Sequence, residues 1–227
     1  MPEEKVFHRT LFLPGPAGRL EALLWTSPQA RPALAGLVCH PHPLFGGTMH
    51  NKVVFQVARA LHDLGLPVLR FNFRGAGLSE GVHDKGKGEQ DDVRAALSYL
   101  AQEFPDVPEV LAGFSFGAWV GLRVGCEDRR VSALIGLGLP VNNADFSYLV
   151  SPDSCSKPRL FLQGTQDQFG AKEPVAALVK SMPAPTQLVF VDGVDHFFAG
   201  KLDEVSRAIT EWMKSRYPIL GETSTAV

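Results

Sequence analysis

The chain has 227 residues, of which 45% are hydrophobic and 20% charged, a size at which one globular domain buries a sizeable core. Lys and Arg number 22 against 24 Asp and Glu, a formal net charge of -2, so the basic excess that would draw nucleic acid or an anionic membrane surface is missing. Three cysteines, Cys39, Cys126 and Cys155, are too few and odd in number for a disulfide framework, and a cytoplasmic protein with free thiols is expected.

The opening MPEEKVFHRT carries acids early and no apolar stretch, which is not the pattern of a signal peptide. Val6–Leu13 and Leu20–Thr26 read as two antiparallel strands joined through Pro14-Gly15-Pro16-Ala17-Gly18. Leu34–Cys39 is a continuous apolar run suited to a strand covered on both faces. It opens the longest stretch free of Asp, Glu, Lys and Arg, from Pro32 to Asn51, whose prolines and histidines rule out a membrane helix. Thr48–Leu64 is predicted helical, with Val53, Val54, Val57, Leu61 and Leu64 recurring every three or four residues and Gly65 as its stop.

The alternation continues through strand Val68–Phe73, helix Glu89–Phe104, strand Val110–Phe114, helix Phe116–Cys126 and strand Val131–Leu137. An irregular stretch then runs to about Pro158. Strand Arg159–Gln163, helix Lys172–Met182, strand Gln187–Val191 and a helix near Lys201–Arg216 follow, and the tail from about residue 218 loses its periodicity and is expected to fray. About eight strands interleaved with helices predict an α/β fold with a mostly parallel sheet and helices on both faces. No Gly/Ser-rich or charged linker divides the chain, so residues 1–227 are read as a single domain.

Gly113-Phe114-Ser115-Phe116-Gly117 lies between an apolar strand and a helix. Glycines two residues either side of a serine allow a sharp, strained turn that lifts the hydroxyl above the sheet at a helix N-terminus. Serine is a poor nucleophile until a base removes its proton. Of seven histidines, His196 stands out because it sits in a loop just after the last strand, at the carboxyl end where such sheets place their sites. The other six lie on helices, early strands or polar turns, where a surface role is expected. The carboxylate that orients the imidazole is assigned to Asp167, after strand Arg159–Gln163, with Asp145 in the preceding strand's loop as the alternative. Asp195 is set aside because adjacent side chains of an extended loop point apart.

Gly75-Ala76-Gly77-Leu78-Ser79-Glu80-Gly81 has the wrong glycine spacing for a dinucleotide loop and does not lead directly into an apolar-periodic helix. Gly113, Gly117, Gly121 and Gly125 form a four-residue stripe expected to let the helix after Ser115 pack closely.

The segments Cys39-His40-Pro41-His42-Pro43-Leu44-Phe45-Gly46-Gly47-Thr48 and Phe71-Asn72-Phe73-Arg74-Gly75-Ala76-Gly77, with the Ser115 turn and the Asp167 and His196 loops, resemble the α/β-hydrolase superfamily. The resemblance is to compact, lidless bacterial hydrolases related to dienelactone hydrolases and small serine esterases. The dienelactone enzymes use a cysteine nucleophile, so their substrate is not implied here. The resemblance implies an α/β-hydrolase fold and a serine hydrolase acting on esters through Ser115, His196 and Asp167. The short stretch from Gly138 to Lys157, broken by Pro140, Asn142, Asn143, Pro152 and Asp153, leaves no room for a large cap, so short acyl chains are expected. The resemblance also places half of an oxyanion hole after the third strand. Pro41 and Pro43 have no N–H, which leaves the backbone amides of His42 and Leu44 to pair with that of Phe116. Similarity to the superfamily's His-Gly-x-Pro pattern favours His42. His40 and His42, separated by a rigid proline and with no third partner in view, make a poor metal site.

The expected partner is a small-molecule acyl substrate, with no cofactor, nucleic acid or membrane involved, and the oligomeric state is left open. Alternatives are a thioesterase or amidase on the same three residues, or a non-catalytic relative serving as a ligand-binding or scaffold protein.

Overall fold

The structure, a computed structural model, describes residues 7–26, 32–151, 155–183 and 185–221. Strands β1 (Phe7–Gly15) and β2 (Gly18–Thr26) form an antiparallel hairpin, and both run further toward the turn than the sequence suggests. Gly15 pairs directly with Gly18, so only Pro16 and Ala17 make the connection. Val6, the expected first strand residue, lies outside the described residues.

Six more strands follow: β3 (Ala35–Cys39), β4 (Val68–Phe71), β5 (Glu109–Phe114), β6 (Val131–Leu137), β7 (Arg159–Gly164) and β8 (Thr186–Val191). The eight strands form one sheet in the order β1-β2-β4-β3-β5-β6-β7-β8. Only the β1–β2 and β2–β4 pairings are antiparallel.

Five helices are interleaved: α1 (Lys52–His62), α2 (Gly88–Glu103), α3 (Phe116–Glu127), α4 (Lys172–Lys180) and α5 (Leu202–Arg216). None of the described helices is long and apolar enough to cross a membrane. Pleating sends successive side chains to opposite faces, and each face has its own core. Leu111 and Phe161 join Val93, Leu97, Leu122 and Val175 from α2, α3 and α4, whereas Val110, Ala112, Leu160 and Leu162 join Val53, Val57, Val205 and Ile209 from α1 and α5. Burying each such Leu or Phe is worth about 2 kcal/mol. The central strands β3, β4, β5 and β7 are buried along their whole length, which is why they read as largely apolar runs without polar alternation.

Three expectations need correction. Helix α1 starts at Lys52 rather than Thr48, because the Asn51 side chain accepts the Val53 and Val54 N–H groups and caps it there. The Met49 N–H instead donates to Asn72 Oδ1 and ties the preceding turn to the β4 side. Strand β4 ends at Phe71, where the Phe73 N–H is drawn away to His40 Nε2 at 2.9 Å. Residues 218–221 form a short 3-10 turn, and the rest of the expected frayed tail lies outside the described residues.

The glycine stripe on α3 does allow close packing: a Cβ at Gly125 would stand 2.5 Å from Leu134 Cδ2. The excursion between β6 and β7 contains one three-residue 3-10 turn, Ser147–Leu149, among its described residues. Its apolar residues turn inward. Phe146 and Leu149 are buried in the α3-side core, while Tyr148 donates to the Trp119 carbonyl and Trp119 Nε1 to that of Asp145. The described residues of the excursion are thereby spent on anchoring it to α3, and no cap is built from them.

Candidate active site

Ser115 follows β5 directly and occupies the N-cap of α3 with φ 56° and ψ −119°. A serine in this region stores on the order of 1–3 kcal/mol of backbone strain. Close packing enforces the turn. A Cβ at Gly113 would meet the Gly117 carbonyl oxygen at 2.4 Å, and one at Gly117 the Cys39 carbonyl oxygen at 2.4 Å. Only glycines let β5, α3 and the end of β3 approach this closely.

The hydroxyl meets its predicted partner. Ser115 Oγ lies 2.9 Å from His196 Nε2, and His196 Nδ1 lies 2.8 Å from Asp167 Oδ2. A nitrogen facing a carboxylate carries the proton, which leaves Nε2 as acceptor for the serine O–H. Three side chains separated by up to 81 residues in sequence are thus joined in one hydrogen-bonded row. The imidazole is almost wholly buried, with Phe114 and Phe169 rings centred 4.9 Å and 4.7 Å from it.

Asp167 is held on both oxygens. Oδ1 accepts the Phe169 and Gly170 N–H groups at 2.8 Å and 3.1 Å, and Oδ2 accepts Gln163 Nε2 at 2.8 Å in addition to the imidazole. The alternative carboxylate, Asp145, is bonded elsewhere: its oxygens accept the backbone N–H and hydroxyl of Ser147. Those two bonds hold the Asp145 carboxyl below the ordinary carboxylate range. Asp195 also turns away from His196 and accepts the Phe197 N–H.

Two residues of this site had no assigned role in the sequence. Gln163, fully buried at the end of β7, donates to Asp167 and to the Gly170 carbonyl and accepts the Leu139 N–H. Its one visible signal is an amide following the apolar Leu160-Phe161-Leu162 of the strand. Gly138, just after β6, has φ 54°, and a Cβ there would stand 3.1 Å from His196 Cε1. It is the floor on which the imidazole lies, and nothing in the local sequence marks it.

On the other side of Ser115, the Phe116 N–H is at the first position of α3 and has no acceptor within the helix. The Leu44 N–H donates to His42 Nδ1 at 3.2 Å, whereas the His42 N–H has no acceptor among the described residues. Of these two amides, the one left free among the described residues is that of His42. The loop is locked from within, with Phe45 and Gly47 N–H both donating to the His42 carbonyl. The His42 ring packs against Phe45, His83 and Phe116, and burial together with neighbouring His83 holds its imidazole below the ordinary range.

The surface role expected for the remaining histidines fails for His40 and His62, both of which are buried. His40 Nδ1 donates to the Pro41 carbonyl, and Nε2 accepts the Phe73 N–H. Burial lowers the His40 imidazole to about 4, so it stays neutral and braces the loop after β3 against the chain leaving β4. Among the described residues no three His, Cys, Asp or Glu side chains gather to hold a metal ion.

Ser115 and His196 open into a cavity of about 640 Å³. Its walls are largely aromatic, from Phe45, Phe116, Trp119, Phe169 and Phe197, with Pro140 and Ala144 from the β6–β7 excursion and His83 and Lys85 from the loop before α2. The Ser115 hydroxyl and the His196 imidazole line this space together with His42 and Phe116, whose N–H groups have no acceptor among the described residues, an arrangement suited to acyl transfer.

Residues 37–214 match the family model described as an alpha/beta hydrolase domain. A protein of Rickettsia prowazekii described as uncharacterised is 38% identical over 214 residues, covering 89% of this chain and 87% of its own length. Among solved structures, an alpha-beta serine hydrolase homologue from Coxiella burnetii superposes with a TM-score of 0.84 at 38% identity, covering 90% of this chain and 97% of that one. A serine hydrolase without a lid from Xanthomonas campestris does so with a TM-score of 0.85 at 35% identity, covering 96% and 97%. The chain belongs to the alpha/beta hydrolase family, and to its lidless kind.

Proposed function

We propose that the protein is a serine carboxylesterase that cleaves short-chain acyl esters through an acyl-enzyme. The observation that carries this reading is the unbroken row Ser115 Oγ–His196–Asp167, which ends in an open, largely apolar cavity. Ser115 Oγ attacks the ester carbonyl as His196 Nε2 takes its proton, and His196 returns that proton to the departing alcohol. Asp167 keeps Nδ1 protonated and stabilises the imidazolium. The Phe116 and His42 N–H groups receive the charge that develops on the carbonyl oxygen. Water, activated by the same imidazole, then attacks the acyl-serine and releases the acid. No step in this sequence calls on a cofactor.

The short-chain preference rests on the β6–β7 excursion, whose 3-10 turn packs inward on α3 and which gives the cavity above Ser115 only Pro140, Asn143 and Ala144 among its described residues. Each methylene of an acyl chain gains about 0.8 kcal/mol only where there is apolar surface to bury it. Measuring kcat/KM over p-nitrophenyl esters from acetate to palmitate tests both parts. Activity should peak at acetate or butyrate and fall by about 10³-fold or more in Ser115→Ala. A kcat/KM still rising beyond about eight carbons would refute the chain-length assignment, and wild-type turnover by Ser115→Ala the mechanism.

A further inference from the structure

The walls of the cavity above Ser115 are largely aromatic, and Lys85 is the one Lys, Arg, Asp or Glu among the described residues that line it. Lys85 lines its mouth, and no carboxylate among the described residues forms an ion pair with it. The backbone there is unusual as well. Lys85 has φ 53°, a left-handed conformation that lysine seldom adopts, and no local turn chemistry requires a lysine at that point.

The surroundings hold it in place. Glu89 is fully buried, and its two carboxylate oxygens accept the N–H groups of Asp84 and Gly86, each at 2.8 Å. These are the residues immediately before and after Lys85. Gly86 lies flat on the Trp119 ring, where a Cβ would come within 2.4 Å of Cζ3. A buried acid and an indole thus clamp the loop on both sides of a strained cation. Strain held this firmly beside a site marks a residue placed for a purpose.

From this geometry we infer that Lys85 is an anion-recognition group and that the substrate is an ester carrying a carboxylate at the far end of an apolar body. The inference rests on the serine-hydrolase reading of the same cavity. The scissile carbonyl sits at Ser115, the apolar body lies against Phe116 and Trp119, and the carboxylate meets the Lys85 ammonium at the mouth. A charge-assisted contact of this kind discriminates an anion from its neutral ester about tenfold.

The test compares kcat/KM for matched pairs in the full-length protein. One pair carries the charge on the acyl side: the p-nitrophenyl hemiester of glutaric acid against its methyl-capped diester. The other carries it on the alcohol side: the acetate of 3-(4-hydroxyphenyl)propanoic acid against that of its methyl ester. In the wild type at least one pair should favour the anion by about tenfold. In Lys85→Asn, whose side chain tolerates the left-handed backbone, that ratio should fall to about one, and in Lys85→Glu it should invert. The inference is overturned if neither pair favours the anion, or if the preference survives in Lys85→Asn. Wild-type p-nitrophenyl acetate hydrolysis, measured alongside, separates the two failures. Turnover of acetate without anion preference sinks the anion site alone, and no turnover of acetate sinks the hydrolase reading and the anion site with it.

Discussion

Replacing Gly138 by alanine tests whether the imidazole is held in place from below. The added Cβ would stand 2.9 Å from Phe114 Cε2, 3.1 Å from His196 Cε1 and 3.2 Å from His196 Nδ1, all inside ordinary contact distance. Phe114 is fully buried in the sheet core and has little room to give, so the ring of His196 must move by a few tenths of an ångström. Alanine at φ 54° costs about 1–2 kcal/mol, and the overpacking a further 1–3 kcal/mol, so a loss of roughly 2–5 kcal/mol in stability is expected. The displacement also lengthens one or both of the 2.8 Å and 2.9 Å hydrogen bonds through His196. Misplacing a reacting group by 1 Å can cost about 100-fold in rate, so a shift of this size should lower kcat about tenfold with KM nearly unchanged. Steady-state kinetics on p-nitrophenyl acetate, run well below the variant's unfolding temperature, supply the check. A kcat equal to wild type would refute the idea that Gly138 sets the position of the imidazole.

Two further outcomes are expected. Asp167→Asn should lower kcat on the order of 10³-fold or more because the amide no longer stabilises the imidazolium, while Asp145→Asn, which loses only its bonds to Ser147, should change kcat little; the reverse ranking would reassign the orienting carboxylate. Glu109 is buried with neither carboxylate oxygen hydrogen-bonded, and burial pushes its carboxyl up to about 8. The unfolded chain gives up this proton near its ordinary value of 4.5 whereas the folded chain keeps it, so stability falls as pH rises between about 5 and 8. Glu109→Gln should flatten that decline in thermal melts at pH 5 and pH 8, and an undiminished decline would show that Glu109 is not its source.

The serine, the imidazole and the carboxylate were legible because each stands in a loop at the carboxyl end of a predicted strand, and a parallel sheet gathers those ends on one edge. The apolar runs likewise announced the strands, most plainly the central β3, β5, β6 and β7, which are covered on both faces and have little polar side to obscure them. Gln163 and Gly138 were invisible for a different reason. Their roles arise only where neighbouring strands β6 and β7 bring residues 138, 163, 167 and 196 together, a juxtaposition no local pattern encodes. His40 misled because a histidine in a Pro-rich turn looks the same in sequence whether solvent or the Phe73 N–H meets its ring. The helix expected from Thr48 failed because apolar periodicity does not show where Asn51 will spend its side chain.

The role of Ser115 as nucleophile is tested most directly by intact-mass and peptide-mapping measurement after incubation with a fluorophosphonate. The wild type should gain a single adduct on the peptide carrying Ser115, at a rate that collapses in His196→Ala because the hydroxyl has lost its base. Rapid ester turnover with no adduct at Ser115, or with the adduct on another residue, would contradict the proposed mechanism.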